Sequence, residues 1–391
     1  MRTESATVLV AAFMIVPALM LAAPVSGKPS VAAGDTWTVM VYIDADNNLE
    51  SFGVLNWHWL ESVGSSDKVN FVVLLDTYSG PANLMYINKG SSTILEEWGE
   101  VNMADPMVMS HFMKEGKKLC PASNYAFISW DHGGGWRGLN WDDTSEEQTG
   151  ESQYMDMCEL GMALADARID WNVFAFDQCL MAQPEVAYEL AGYADYVVFS
   201  EETVYGQGFP YDMIAEDLVA NPMMDAKQVS CMMVGDFAAY YSSLTWANDW
   251  TISAFDMTYM DDITAAVTEL ADSQMAVLSQ YRSAFKNDLS RTQGYYYPYF
   301  VDLKGYAMNV MADPAIKDPA VKKAATDVVL ALNGGMVLTI NSKHNSDSYG
   351  MSIYFPSYKS SYLGFKPAYE KVPFAIDTNW LLWIQAFASN K

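Results

Sequence analysis

The chain has 391 residues, about half of them hydrophobic, and carries 48 acidic against 22 basic side chains for a net charge of −26. That length allows one large α/β domain or two smaller ones, and 24 Tyr, 17 Phe and 12 Trp supply a sizeable core, which excludes a disordered chain. The charge excludes nucleic acid as a partner, because phosphate binding needs clustered Lys and Arg; it suits a protein that attracts basic ligands or cations, although most of these charges read as a solvated acidic surface.

The N-terminus comes first. No charged residue occurs from Ser5 to Gly27, and Val25 and Gly27 can occupy the −3 and −1 positions of a cleavage site. Residues 1–27 therefore read as a signal peptide, with an uncleaved N-terminal anchor as the alternative. The product would be secreted or extracytoplasmic, and no other stretch is apolar enough to span a membrane. Four cysteines (Cys120, Cys158, Cys179 and Cys231) are too few for a disulfide scaffold, and buried inert thiols are the expectation for all but Cys179.

The spacing of apolar residues then predicts a buried strand at 36–46, a helix at 48–63, a second buried strand at 69–79 and a hairpin at 83–99 turning around Lys89-Gly90-Ser91-Ser92. A helix follows at 105–120, with Asp105 as N-cap and Pro106 in its first position. A third strand, "NYAFISW" (124–130), runs straight into His132, and a Gly- and acid-rich loop covers 133–152. Next come a helix near 153–167, the strand "NVFAF" (172–176), a helix beginning near Pro184 and a strand at 194–202. Strands alternating with helices imply a mostly parallel sheet with helices on both faces. Beyond about residue 215 the pattern is helical: one long helix at 261–285, a β-hairpin at 334–357 and a final helix at 379–388.

The stretch "SWDHGGGWRG" (129–138) fits two enzyme designs. In a lipase-type serine hydrolase such glycines form the oxyanion hole, but that design needs a downstream G-x-S-x-G, and none occurs; Gly90-Ser91-Ser92 continues as Thr93-Ile94. In a cysteine protease the histidine is the general base. Cys179 lies 47 residues after His132, and both follow predicted strands, so both belong at the carboxyl ends of a parallel sheet, where ligands bind. Cys179 would attack the scissile carbonyl. His132 would take the thiol proton or pair with the thiolate and then protonate the leaving amine. The Gly133 and Cys179 N–H groups would face the oxyanion, and a helix N-terminus just beyond Cys179 would favour the thiolate.

The segments "WTVMVYIDADNNLE", "FISWDHGGGW", "FDQCLMAQPEVAYEL", "FSEETVYGQGFPYD" and "YGMSIYFP" resemble the clostripain family of cysteine peptidases (family C11), over residues 36–357. The resemblance implies a caspase-like catalytic core at 36–260, completed by a C-terminal helical region with a β-hairpin at 261–391. It implies an endopeptidase that takes protein or peptide substrates with Arg, or also Lys, at P1, with calcium dependence in some members. Asp177, two residues before Cys179, would pair with the basic side chain; the alternative is an aspartate that caps the next turn. Gln207 stands where a further acid would assist, which weakens strict Arg preference, and Glu201 and Glu202 are other candidates. Such enzymes often cut themselves between the His and Cys strands, yet no Lys or Arg lies between Arg137 and Arg168. A single chain, or one cut at Arg137 or Arg168, is expected.

No cofactor is needed for this chemistry. Calcium is the metal the resemblance offers, with no ligands assigned. "DADNNLE" (44–50) fails the EF-hand template, since Leu49 stands at the turn glycine and Leu55 at the bidentate Glu, and it reads as a turn. His58, His111 and His344 have no partner pattern. "YYYPYF" (295–300) is expected to pack on the core. Two other functions share the fold: a catalytically inactive cell-surface binding protein, and a transpeptidase that uses the same thioester with an amine in place of water.

Overall fold

The computed structural model describes residues 36–389; the expected signal or anchor segment lies outside them. Nine strands form the central sheet: β1 (Trp37–Ala45), β2 (Val69–Thr77), β3 (Gly80–Asn88), β4 (Ser91–Gly99), β5 (Asn124–Trp130), β6 (Trp171–Asp177), β7 (Ala194–Phe199), β8 (Thr251–Asp256) and β9 (Met336–Asn341). Their spatial order is β9-β8-β7-β6-β5-β1-β2-β3-β4. The five central strands, β7-β6-β5-β1-β2, run parallel, and two antiparallel strands flank each edge.

Side chains alternate across each strand, so the sheet has two apolar faces. Met40, Tyr42, Leu74, Phe127, Phe174 and Phe176 pack on one core with α2 (Pro106–Leu119), α3 (Met157–Ala167) and the C-terminal helices. Val39, Val41, Val73, Ile128 and Val173 pack on the other with α1 (Glu50–Val63), α4 (Tyr211–Ala220) and α5 (Ala226–Ser243). Helix starts follow local chemistry. Asp105 accepts the Met107 N–H ahead of Pro106, and Asp156 forms a reciprocal capping box with Glu159.

Three expectations are corrected. Residues 334–357 do not form a hairpin: β9 pairs with β8, whereas Ser352–Tyr354 pairs with Phe300–Asp302. The returning chain is captured elsewhere, with the Gly350 N–H donating to buried Glu201 (3.0 Å) and the Ser352 N–H to the Ala182 carbonyl (2.8 Å). The long helix at 261–285 is two, Met260–Ala276 and Leu278–Ser290, broken at β-branched Val277, whose ψ of 13° leaves the helical range. The loop 133–152 contains a helix, Asp143–Thr149, whose N-cap Asp142 accepts the Ser145 N–H (2.8 Å). The apolar pattern carries no trace of it because the helix is polar and only Ser145 is buried.

Candidate active site

Strand register brings the two halves of the site together. Trp130 at the end of β5 pairs with Asp177 at the end of β6, and His132 and Cys179 each lie two residues further on. The two residues wall one pocket, together with Trp130, Asp131, Asp177, Leu49, Val204, Tyr205, Gly206 and Gly208.

Cys179 is half-buried, and its sulfur accepts the Val204 N–H at 3.3 Å. Burial, with the neighbouring carboxylates of Asp177, Glu202 and Asp131 adding to it, pushes its thiol up to about 11. The expectation of a dipole-stabilised thiolate is therefore corrected. The next helix spans only Pro184–Ala187 and begins five residues after Cys179, too short and too far to act on the sulfur. Leu180 turns the chain at once with a left-handed φ of 67°, a strained conformation for a branched residue.

His132 is half-buried, and burial holds its imidazole below the usual value, opposed by Asp143. Its Nε2 lies 2.9 Å from Asn48 Oδ1. With the amide oxygen as acceptor, Nε2 carries the proton and Nδ1 the free lone pair.

Gly133 packs on the backbone of Cys179: a Cβ there would lie 2.5 Å from the Cys179 carbonyl oxygen and 3.0 Å from its nitrogen. The backbone bonds Asn140 N–H to His132 O and Gly134 N–H to Gly138 O frame Gly133 and Leu139 as a non-hydrogen-bonded antiparallel pair. In such a pair the residue's own N–H points away from the ribbon, which leaves the Gly133 donor unspent.

Asp177 is 3% exposed. Its Oδ2 accepts the Phe209 N–H (2.9 Å) and the Tyr211 hydroxyl (3.0 Å), while Oδ1 has no hydrogen-bond partner. Burial pushes the carboxyl up to about 7 against those two bonds. Gly208, at φ 64°, fits because any Cβ would lie 2.5 Å from Asp177 Oδ2. Gly206 and Gly208 line the pocket but Gln207 between them does not; its carbonyl accepts from Asn56 Nδ2 (2.9 Å). Nor does the Glu202 side chain line it. It accepts the Thr203 and Tyr296 N–H groups, and so anchors the 295–300 segment. Glu201 is spent on Tyr295 and Gly350.

Sequence reasoning missed Gln178, Asn48 and Asn56. Fully buried Gln178 donates to the His132 carbonyl (3.3 Å) and to Asn140 Oδ1 (3.2 Å), tying the two strand ends together. Asn56 accepts from Trp130 Nε1 (2.8 Å) and so fixes a pocket wall from α1. Only the adjacency of Gln178 to Cys179 offered any sequence signal. Of the other thiols only Cys120 is buried; Cys231 is half-buried and Cys158 exposed on α3, contrary to expectation. Beside the site, Asp46, Asp76 and Glu100 bring carboxylate oxygens within 4.8 Å of one another.

A thiol and an imidazole at neighbouring strand ends of a parallel core, walling one pocket, form the type of site found in cysteine hydrolases of caspase-like fold. A profile of the clostripain family (peptidase family C11) matches residues 41–386, and the chain belongs to that family. Clostripain of Hathewaya histolytica is 30% identical in an alignment 236 positions long that covers 50% of this chain and 44% of that relative, less than half of the relative's length. Two solved structures share the fold. One is a secreted C11 cysteine protease of Bacteroides thetaiotaomicron bound to an irreversible peptide inhibitor, with TM-score 0.69 and 18% identity, over 89% of this chain and 100% of that one. The other is an inactive zymogen C11 protease of Parabacteroides distasonis, with TM-score 0.67 and 19% identity, over 89% and 99%.

Proposed function

We propose that this protein is an extracytoplasmic cysteine endopeptidase that cleaves after Arg or Lys. The observation that carries this reading is the unpartnered Oδ1 of buried Asp177, in the wall of the pocket that His132 and Cys179 also line. A buried carboxylate with one free oxygen is half of a charge-assisted pair, and a guanidinium or ammonium supplies the other half.

The chemistry starts from a neutral pair. The thiol proton stays on sulfur in the free enzyme, so His132 acts as a general base during attack rather than as the partner of a preformed thiolate. As the bond from Sγ to the scissile carbonyl carbon forms, the proton passes to His132 Nδ1. The carbonyl oxygen takes up the negative charge, facing the Gly133 and Cys179 N–H groups. The intermediate collapses, the C–N bond breaks, and the amine leaves with the proton from His132. Water then attacks the thioester while His132 takes its proton, and the acid and the thiol are released.

The enzyme works as one uncut chain on this reading. Arg137, one of the two basic residues bounding the linker, is pinned with its guanidinium over the Tyr297 and Phe365 rings and 3.3 Å from the Tyr299 hydroxyl. Arg168, the other, caps α3 three residues before β6. Secretion is supported by the leader-like first 27 residues and by a structural neighbour described as secreted.

The test is cleavage of matched fluorogenic peptides ending in Arg, Lys, Asn or Asp by residues 28–391, beside a Cys179→Ala control. Cleavage after Arg or Lys that the control lacks supports the reading. Cleavage after Asn or Asp alone removes Asp177 from its role, and no cleavage together with an unlabelled Cys179 leaves a binding protein.

A further inference from the structure

Beyond Tyr42 and Leu74, the next side chains on that face of β1 and β2 are Asp44 and Asp76, direct register partners. Asp46 follows one pleat later. All three are fully buried, and exposed Glu100 joins them from the end of β4. One oxygen each of Asp46, Asp76 and Glu100 lies within 4.8 Å of the other two. Asp46 Oδ1, Asp76 Oδ2 and both oxygens of Asp44 have no hydrogen-bond partner. The further charges that bear on this group are again acidic, namely Asp131 and Asp142, and among the described residues no ion pair reaches Asp44, Asp46, Asp76 or Glu100. The Thr144 hydroxyl, with one proton to give, lies within reach of both Asp46 and Glu100, and the Thr77 N–H goes to Asp76 Oδ1; among the described residues these are the donors.

We propose that Asp46, Asp76 and Glu100 ligate one calcium ion at the carboxyl ends of β1 and β2, with Asp44 supplying further negative charge beneath it. Buried like charges need either protons or a cation, since the protein offers them no basic side chain. The donor set is all carboxylate oxygen, hard and anionic, which selects Ca²⁺ or Mg²⁺ over thiophilic or imidazole-seeking metals. Ligand number separates those two. Mg²⁺ dehydrates reluctantly and is usually held by one or two carboxylates among several waters, whereas Ca²⁺ takes a larger set of protein oxygens. Three carboxylates gathered within 4.8 Å of one another suit calcium.

The site reaches the catalytic histidine through three consecutive residues. The Asp46 carbonyl accepts the Asp143 N–H (2.8 Å), Asn47 Nδ2 donates to Asp131 Oδ1 (2.7 Å), and Asn48 Oδ1 holds His132 Nε2. A calcium ion on Asp46 braces the turn that fixes the His132 ring.

The test uses the full chain with Cys179→Ala, stripped of metal, titrated calorimetrically with Ca²⁺ and with Mg²⁺ and followed by thermal unfolding at pH 7.5. One Ca²⁺ per chain is expected, with Mg²⁺ weaker and a rise in Tm of roughly 3–4 °C at a hundredfold excess over Kd. Asp76→Asn should weaken Ca²⁺ binding at least about 100-fold, while its metal-free Tm equals or exceeds that of the parent, because a buried like charge has gone. Glu100→Gln, on the exposed rim, tests ligation without touching the core and should weaken binding roughly 10-fold. Glu147→Gln, an acid in the adjacent groove, should leave binding unchanged. Absence of calorimetric Ca²⁺ binding overturns the proposal, as does Ca²⁺ binding that survives both Asp76→Asn and Glu100→Gln or is lost in Glu147→Gln.

Discussion

Replacing Asp177 by Asn removes one negative charge and almost nothing else. The Asn carbonyl can still accept the Phe209 N–H and the Tyr211 hydroxyl, so the loop over the pocket keeps its anchor. The rise of the carboxyl from 3.8 to about 7 corresponds to a burial cost of ~4 kcal/mol on the charged form. A cation in the pocket offsets that cost, and removing one partner of such a pair costs about 3–5 kcal/mol. Asp177→Asn should therefore lower kcat/KM for Arg peptides roughly 10²–10³-fold, with little effect on the matched citrulline peptide, whose side chain has the same shape without the charge. The assay is kcat/KM for that peptide pair on both proteins. Stability supplies an independent check. A carboxyl with a raised folded pKa contributes stability that is full below about 3.8 and lost as pH rises through about 7. Between pH 5 and 8 the parent should lose roughly 2–3 kcal/mol on this account, a slope that Asp177→Asn lacks. Cleavage of the Arg peptide within about threefold of the parent, by a folded Asp177→Asn protein, refutes the assignment of Asp177 to the P1 side chain.

Gly133→Ala places a Cβ 2.5 Å from the Cys179 carbonyl and forces apart the two N–H groups proposed to face the oxyanion; a fall in kcat of roughly 10²–10³ with KM nearly unchanged is expected from steady-state kinetics. Alkylation of Cys179 by iodoacetamide should keep accelerating up to pH 9 and beyond, because the thiol stands near 11; a plateau below pH 7 would reveal a preformed thiolate. Asn48→Ala frees His132 Nε2, so kcat should fall roughly tenfold while the thermal midpoint barely moves, since Asn48 is exposed. Asn48→Gln would not restore the rate if the amide acts by position.

Much of this protein is legible in its sequence because the relevant signals are local. The strands β1, β2, β5 and β6 are continuous apolar runs, α2 announces itself through Asp105-Pro106, and the histidine and cysteine each stand directly after a strand. Parallel strands of one sheet end on one side, so order along the chain suffices to put His132 and Cys179 at the same edge. The aspartate before the cysteine is equally visible, and its alternation along β6 with Val173 and Ala175 sets the face it occupies. What only the tertiary structure decided are quantities that depend on burial and on partners far away in the chain. The state of the Cys179 thiol is set by burial and by carboxylates from three segments, not by a helix it merely precedes. Gln207 looked placed for substrate, yet it is Gly206 and Gly208 on either side of it that line the pocket. The acids at 44 and 46 read as a turn because no template joins them to Asp76 and Glu100, which come from other strands. Side-chain type and short-range spacing are written in the sequence; desolvation, and which charges share a volume, exist only once the chain has closed on itself.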